Sequence, residues 1–311
     1  MFPSILDIDG VTALEILVKT AASAACLAAA GSAFALLALA RFDGATARSV
    51  RQTTVAAAAL AASLSALRLP VRASFLTGGS VAGALDPAIV GMVAESPLGT
   101  SLGVRLAGLA LICLVVVAHP AARIAAGIGT VLVCASFALR GHTLEEPRLV
   151  LGALVTLHLL GLAFWVGIFA PLHRLAGSNT HAAGALAAEF SRWAVWVVPA
   201  LAAAGVALFV ILTGDPLAAL GTAYGRILAV KLALFTLLLG LAALNKYRLT
   251  PALQMGTLRA GGHLRRSIRL EALAVLAILA TTATLTTIAS PGMEVGSAEP
   301  NGGALHPERP A

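Results

Sequence analysis

Charged side chains are scarce in this chain. Asp, Glu, Lys and Arg make up 11% of its 311 residues, against about 25% in a typical soluble domain. Hydrophobic residues account for 59%, and they gather in runs of about twenty, long enough to cross a hydrocarbon core about 30 Å thick. This composition excludes an ordinary soluble domain and predicts an all-α fold, a polytopic integral membrane helical bundle.

Several functional motifs are missing as well. The sequence contains no G-x-x-x-x-G-K-[ST] loop, no G-x-S-x-G elbow and no H-E-x-x-H helix, which are signatures of nucleotide binding, serine hydrolysis and zinc proteolysis. The net charge of +7 comes mostly from basic residues in the gaps between apolar runs, a pattern typical of topology signals. We therefore expect no enzyme activity and neither nucleotides nor nucleic acids as partners.

Cysteine is rare, and the three that occur, Cys26, Cys113 and Cys134, all lie inside apolar runs. This placement argues against a disulfide framework. The N-terminal stretch MFPSILDIDG is acidic and has no basic region, so we expect the first apolar run to be a retained helix and not a cleaved signal peptide.

About eight transmembrane helices are predicted from the apolar runs, which fall at residues 12–40, 51–69, 98–118, 121–140, 149–170, 193–212, 225–245 and 270–290. The connection over 70–97 contains three prolines and a Gly-Gly pair, and it is predicted to be an ordered external loop. The helices divide into a four-helix N-terminal half over 1–140 and a second four-helix membrane domain over 141–292. The tail over 293–311 is rich in Gly, Pro and Glu and is predicted to be disordered in the periplasm.

The orientation follows from the distribution of basic residues. Twelve Lys and Arg residues lie in the connections after the odd-numbered helices. Seven are assigned to the opposite side as topology signals: Arg68, Arg72, Arg105, Arg140, Arg148, Arg226 and Arg309. Cytoplasmic loops carry the excess of Lys and Arg. We therefore predict that both termini lie outside the cytoplasm.

Ionisable side chains at membrane depth are the candidate functional residues, since they are costly to bury there. His158 lies in the apolar run VTLHLLGLAFWVG, about 13 Å from the outer end of the fifth helix at 1.5 Å per residue. Trp165 follows on the same helical face. His142, Glu15, Lys19 and Lys231 are also predicted in the outer half, which suits a site loaded from outside.

Structural roles compete with these functional ones. Glu15 and Lys19 are spaced to pair with each other along a helix, and Lys231 could extend its stem toward the interface. Glu271 is predicted at the inner N-terminus of the eighth helix, where the helix dipole favours a carboxylate. His158 is either a satisfied core histidine or a ligand or proton carrier, and Trp165 could serve packing alone. Imidazole binds Cu(II), zinc and iron well, so these residues predict a site for a cation or a redox centre without identifying it.

A set of motifs over about 140–290 resembles the copper-resistance protein D family. The stretches that carry the resemblance are EFSRWAVWVVPALAAAGVALFVILTGDP, GTAYGRILAVKLALFTLLLGLAALNKYRLTPAL and LRRSIRLEALAVL. The matching pattern has an F-S-R start, Y-G-R-x-L-x-x-K opening one helix, N-x-x-x-L-x-P-x-L closing it, and R-R-S before a membrane Glu. The positions of this pattern that concern the site, together with G-H and H-x6-W earlier in the chain, are His142, His158, Trp165, Tyr224, Arg226, Lys231, Asn245 and Glu271.

The resemblance implies a multi-pass protein of the bacterial inner membrane that moves a copper ion from periplasm toward cytoplasm, without fixing Cu(I) or Cu(II). It also implies a periplasmic copper-binding partner of the CopC type, expected as a separate chain. His158 and His142 are then the predicted ligands and Glu15 a carboxylate neighbour. Arg226 and Lys231 are assigned to pairing with Glu15 or Glu271, or to gating, and Trp165 to closing the site toward the cytoplasm.

Two alternatives remain open at this point. A membrane protein that holds b-type haem between two histidines would need a second histidine at the depth of His158. A membrane partner that binds a periplasmic copper chaperone without transporting copper would need the same outer site. Methionine is confined to Met1, Met92, Met255 and Met293, so a thioether relay for Cu(I) is not predicted.

Overall fold

The computed structural model describes residues 9–38, 42–144, 146–213, 222–257 and 259–288. These residues are almost entirely helical, and no strand occurs among them. The helices are α1 Gly10–Ala38, α2 Gly44–Leu76, α3 Val81–Leu85, α4 Pro87–Glu95, α5 Pro97–Cys113, α6 Pro120–Ala135, α7 Arg148–Gly167, α8 Phe169–Ser178, α9 Thr180–Thr213, α10 Ala223–Leu244, α11 Thr250–Gln254 and α12 Ala260–Ile288. The predicted all-α class is confirmed.

Within the described ranges, eight helical segments are long and apolar enough to cross a membrane, as predicted. Four of them combine shorter elements. The 3₁₀ turns Leu114–Val116 and Ser136–Leu139 extend α5 and α6, α8 continues α7, and the π-helical turn Asn245–Leu249 joins α10 to α11.

Two predicted helix starts are wrong by about three turns. α9 begins at Thr180 and not at 193, and α12 begins at Ala260 and not at 270. The predicted loop over 70–97 is also helical for most of its length: α2 runs through Pro70 to Leu76, and α3 and α4 follow. Pro87 and Pro97 occupy first-turn positions of α4 and α5, where a missing N–H is harmless. The predicted tail over 293–311 lies outside the described residues.

α1 is the most enclosed of the eight segments, whereas α9 and the segment containing α10 are the least enclosed. α1 packs against α2, α5, α6, α7 and α12. Its crossing with α7 is very close at Gly31, where an added Cβ would lie 2.7 Å from the backbone nitrogen of Gly167. α1 therefore forms the centre on which the other helices are arranged.

The alternation of the helices defines two membrane faces. We call the face at which α1 begins the N-terminal face, and the other the opposite face. The ends of α2 and α12 return to the N-terminal face, as two contacts of α1 show: Glu15 with Arg72 of α2, and Lys19 with Thr287 of α12.

Candidate functional site

Among the described residues of the second half, Glu271 is the most enclosed acidic side chain, with 4% of its surface exposed. It lies eleven residues after the start of α12 at Ala260, about three helical turns into the helix. The prediction that the helix N-terminus stabilises this carboxylate is therefore wrong, since the dipole effect is confined to the first turn. Other contacts must account for its position.

Two neutral side chains hold the Glu271 carboxylate. The indole Nε1 of Trp165 on α7 donates a hydrogen bond to Oε2 at 3.0 Å, and the amide Nδ2 of Asn245 donates a hydrogen bond to Oε1. We call these three residues the Glu271 network. All three were predicted site residues, and the structure brings them together.

Backbone geometry places Asn245 for this contact. The turn Asn245–Leu249 is π-helical, and Thr250 Oγ1 donates to the Asn245 carbonyl oxygen at 2.9 Å across five residues. Such π-helical turns insert an extra residue per turn and are frequent at functional sites. The insertion rotates the chain just where the amide meets the carboxylate.

The Glu271 network contains unused polar groups. Among the described residues, Glu15–Arg72 is the one ion pair, so Glu271 has no cationic partner there. Asn245 Oδ1 and the hydroxyl of Ser267, one turn before Glu271, are buried without a hydrogen-bond partner. A buried acceptor without a hydrogen bond lowers the stability of the folded state. A carboxylate with further oxygen atoms nearby can coordinate a cation.

His158 is oriented by the backbone of α9. Its Nδ1 lies 3.0 Å from the Leu201 carbonyl oxygen. A carbonyl oxygen can only accept, so Nδ1 carries the proton and Nε2 keeps its lone pair. Gly205, one turn after Leu201, makes room for the ring, because an added Cβ would lie 3.2 Å from Cε1. The imidazole is thus fixed with one nitrogen available for a ligand.

His158 and one member of the Glu271 network, Trp165, lie on the same helix at different depths. His158 is about 15 Å along α7 from Arg148, and Trp165 lies seven residues further, about 10 Å deeper. Lys231 of α10 is near enough to His158 to interact with it electrostatically. α7 therefore carries two polar positions. One lies in the half of the membrane nearer the N-terminal face, and the other lies farther from that face.

Glu15 and Lys19 do not pair with each other as their spacing allowed. Arg72 Nη1 lies 3.2 Å from Glu15 Oε2, and Lys19 Nζ donates to Thr287 Oγ1 at 3.2 Å. The predicted pairing of Arg226 or Lys231 with Glu15 or Glu271 is not among the ion pairs of the described ranges. Arg226 is exposed and Tyr224 partly buried near the start of α10.

The predicted histidine pair is only half described. The backbone of His142 lies in the 3₁₀ turn Gly141–Leu144, whereas its side chain is outside the described part of the chain. Among the described residues, no group of three His, Cys, Asp or Glu side chains could hold a metal ion. His158 is thus a single oriented imidazole there.

Sequence reasoning missed a group of buried arginines in the N-terminal half. Arg68 and Arg105 were interpreted as topology signals, yet they are 7% and 2% exposed. Their positions within apolar runs were the signal that pointed to burial.

Two protein-family models match the chain. One, described as copper resistance protein D, matches residues 184–285. The other, described as the copper resistance protein D-like N-terminal domain, matches residues 8–147. Together they span most of the chain, including the N-terminal half that the sequence motifs did not cover. No curated protein and no solved structure matches this chain.

Proposed function

The chain belongs to the copper resistance protein D family, and from this membership we propose that it carries copper across the bacterial inner membrane, from periplasm toward cytoplasm. Copper is the transported substrate in this proposal. The eight membrane-capable segments of the described ranges supply the path, and two polar positions on or beside α7 supply places at which an ion can pause.

The observation that carries the proposal is the orientation of His158. Histidines that bind metals almost always donate their second ring N–H to a carboxylate, a backbone carbonyl or water. His158 donates from Nδ1 to Leu201 O at 3.0 Å, which leaves Nε2 as the metal-binding atom. His142 is the proposed second ligand. Glu15 remains a carboxylate neighbour that would first have to release Arg72.

The Glu271 network is the proposed second position. Among the described residues, its carboxylate contacts only neutral N–H donors and no cationic side chain. The negative charge of the carboxylate would therefore balance the charge of an arriving cation. Imidazole nitrogen and carboxylate oxygen suit Cu(II) better than Cu(I), which prefers sulfur ligands. Trp165, which binds Glu271, would close the deeper position toward the cytoplasm.

Lys231 is the proposed gating residue. A protonated amine beside His158 opposes a cation at Nε2, so occupancy of the site by copper would favour movement or deprotonation of the amine. The exposed Arg226 would act at the entrance of α10 and would not touch the ion.

The proposal is tested by copper content of spheroplasts that express the wild-type chain, His158→Ala or His181→Ala at equal membrane levels. His181 is an exposed histidine at the start of α9, so it controls for loss of an imidazole. We expect wild type and His181→Ala to raise cytoplasmic copper, and His158→Ala to lose this increase by about tenfold or more, since even second-shell changes cost about 10–100-fold in metal affinity.

Copper levels equal to those of empty cells in all three strains would overturn transport. Retention of a periplasmic copper-binding protein by the purified chain would then favour the non-transporting partner. A Soret band in the purified protein would instead identify the haem alternative.

A further inference from the structure

Five basic side chains gather within the N-terminal half of the bundle, toward the N-terminal face. We call them the basic cluster: Lys19 on α1, Arg68 and Arg72 on α2, Arg105 on α5, and Arg140 after α6. Arg68 and Arg105 lie about 12 Å from the ends of their helices at this face. They are 93% or more buried, with exposures of 7% and 2%. Both are therefore inside the bundle and not at its lipid surface.

The members of the basic cluster are close to one another. Arg105 and Arg140 both lie over the ring of Phe137, with guanidinium carbons 4.1 Å and 5.5 Å from its centroid. Arg68 is near enough to interact electrostatically with Arg105, Arg72 and Glu15. The cluster thus forms one region of positive charge shared by four helical segments.

Among the described residues, the negative charge near this region comes from one carboxylate. Glu15 is the one carboxylate of the described residues that acts on the basic cluster, and its ion pair is with Arg72. Arg105 Nε donates to the Ser136 hydroxyl at 3.0 Å and Nη2 to the Ser101 hydroxyl at 3.5 Å, and both acceptors are neutral.

Arg68 has no such compensation. It forms no hydrogen bond or ion pair with any described residue. Ser65, three residues earlier on the same helix, has a buried hydroxyl without a hydrogen-bond partner. The Arg68 guanidinium and the Ser65 hydroxyl thus lie one helical turn apart on α2, and neither has a hydrogen-bond partner among the described residues.

An arginine cannot relieve this cost by losing its proton. Like charges at membrane depth repel strongly in a low dielectric, so an anion that contacts Arg68 and Arg105 together would remove the repulsion. We propose that the basic cluster is a binding site for a phosphate group, held by the guanidinium groups of Arg68 and Arg105 with the Ser65 hydroxyl as a further donor. Guanidinium forks match the geometry of oxyanions.

The phosphate group has two possible sources, inorganic phosphate and the headgroup of an anionic phospholipid. This site is separate from His158 and from the Glu271 network, and the inference does not depend on copper transport.

The test is thermal unfolding of the delipidated full chain in a neutral detergent, with potassium phosphate titrated against potassium chloride at constant ionic strength. A ligand that binds only the folded state raises Tm with its concentration. We expect phosphate to raise the Tm of wild type, and Arg68→Gln to weaken the apparent phosphate affinity by about tenfold or more. Arg148→Gln, the same change at the exposed start of α7, controls for net charge and should match wild type.

A second readout separates anion binding from a structural role. In chloride alone, Arg68→Gln should melt at a higher temperature than wild type, because it removes repulsion from the basic cluster. In saturating phosphate the order should reverse. Ser65→Ala removes only a hydroxyl and is expected to weaken phosphate affinity a few-fold, so the proposal stays testable if Arg68→Gln does not fold.

Lipid phosphorus retained through purification distinguishes the sources. Phosphate-dependent Tm with no retained phospholipid identifies inorganic phosphate, whereas anionic phospholipid held by wild type and lost from Arg68→Gln identifies the headgroup. The proposal is overturned if wild type binds neither, or if Arg148→Gln loses as much affinity as Arg68→Gln.

Discussion

At the scale of single residues, the contacts of Glu271 were beyond what the sequence could predict. Trp165 and Asn245 are 106 and 26 residues away from it in the chain. Asn245 was a site candidate because it belongs to the motifs that resemble the family, and Trp165 also because it shares a helical face with His158. That they share one carboxylate depends on how α7, the π-helical turn and α12 pack, which residue spacing does not encode.

The Trp165 hydrogen bond should stabilise the fold through the charge of Glu271. A hydrogen bond to a charged group contributes about 1.5–3 kcal/mol, so Trp165→Phe should lower the free energy of unfolding in detergent by at least that range. In the Glu271→Gln background the acceptor is neutral and the loss should be smaller. The double-mutant cycle should give a coupling energy of about 0.5–3 kcal/mol.

Trp196→Phe is the matched control, since Trp196 on α9 is 75% exposed. Its effect on unfolding should stay within about 0.5 kcal/mol. Equal losses for Trp165→Phe in both backgrounds would show that the indole acts by packing alone and would contradict the network.

Burial of individual arginines was equally hard to predict. Arg68, Arg105 and Arg140 fall within predicted apolar segments, so their approximate depth was available from the sequence. Their convergence was not, because it requires that the arginine-bearing faces of α2, α5 and the end of α6 pack toward one another. The periodicity of a helix gives a face but not the neighbour of that face.

At the scale of elements, helix number was predictable and helix length was not. Apolar runs identify the lipid-spanning part of a helix, but α9 and α12 extend beyond it toward the opposite face. The extension of α9 includes Glu189 and Arg192, and that of α12 includes Arg265, Arg266 and Arg269. Charged residues lower the local hydropathy, so the predicted segment ends at them. They still form helical backbone hydrogen bonds, and both helices therefore begin earlier than predicted.

The α1–α7 crossing should tolerate no side chain at Gly31. A Cβ there would lie 2.7 Å from the Gly167 nitrogen, and backbone atoms cannot move aside without separating the helices. Gly31→Ala should therefore destabilise the protein by about 1–3 kcal/mol or more, the usual cost of overpacking. Thermal unfolding in detergent measures the change.

Gly103→Ala is the comparison, because an added Cβ there meets no atom within 4 Å. It should leave stability unchanged or raise it by up to about 1 kcal/mol, as the loss of a helical glycine does. A Gly31→Ala protein as stable as Gly103→Ala would mean that the two helices are not in close contact.

At the scale of the whole molecule, the two family domains meet through α1. The matches cover residues 8–147 and 184–285. α1 from the first packs against α12, which lies mostly in the second, and also against α7, which lies between the two matches. The Lys19–Thr287 hydrogen bond links the first helix to the last. The proposed phosphate site lies in the N-terminal half and the Glu271 network in the C-terminal half, so α1 is the element through which either site would influence the other.

The orientation of the molecule remains a prediction from its basic residues. If both termini lie outside the cytoplasm, the connection that contains α4 faces the periplasm, and the turn between α11 and α12 faces the cytoplasm. Single cysteines at two exposed positions, Ala88→Cys on α4 and Met255→Cys in that turn, report the two sides. Cys26 and Cys134 are buried, and Cys113→Ala removes the partly buried thiol.

A membrane-impermeant maleimide should label Ala88→Cys in intact spheroplasts and should label Met255→Cys only after permeabilisation. The reverse pattern would place the N-terminal face in the cytoplasm. An ion moving from periplasm to cytoplasm would then meet the Glu271 network before His158, so the proposed order of the two positions would have to be inverted. Labelling of both positions without permeabilisation would contradict the alternating arrangement of the eight segments. Five of these segments lie between α4 and Met255, and an odd number of crossings must place the two positions on opposite sides of the membrane.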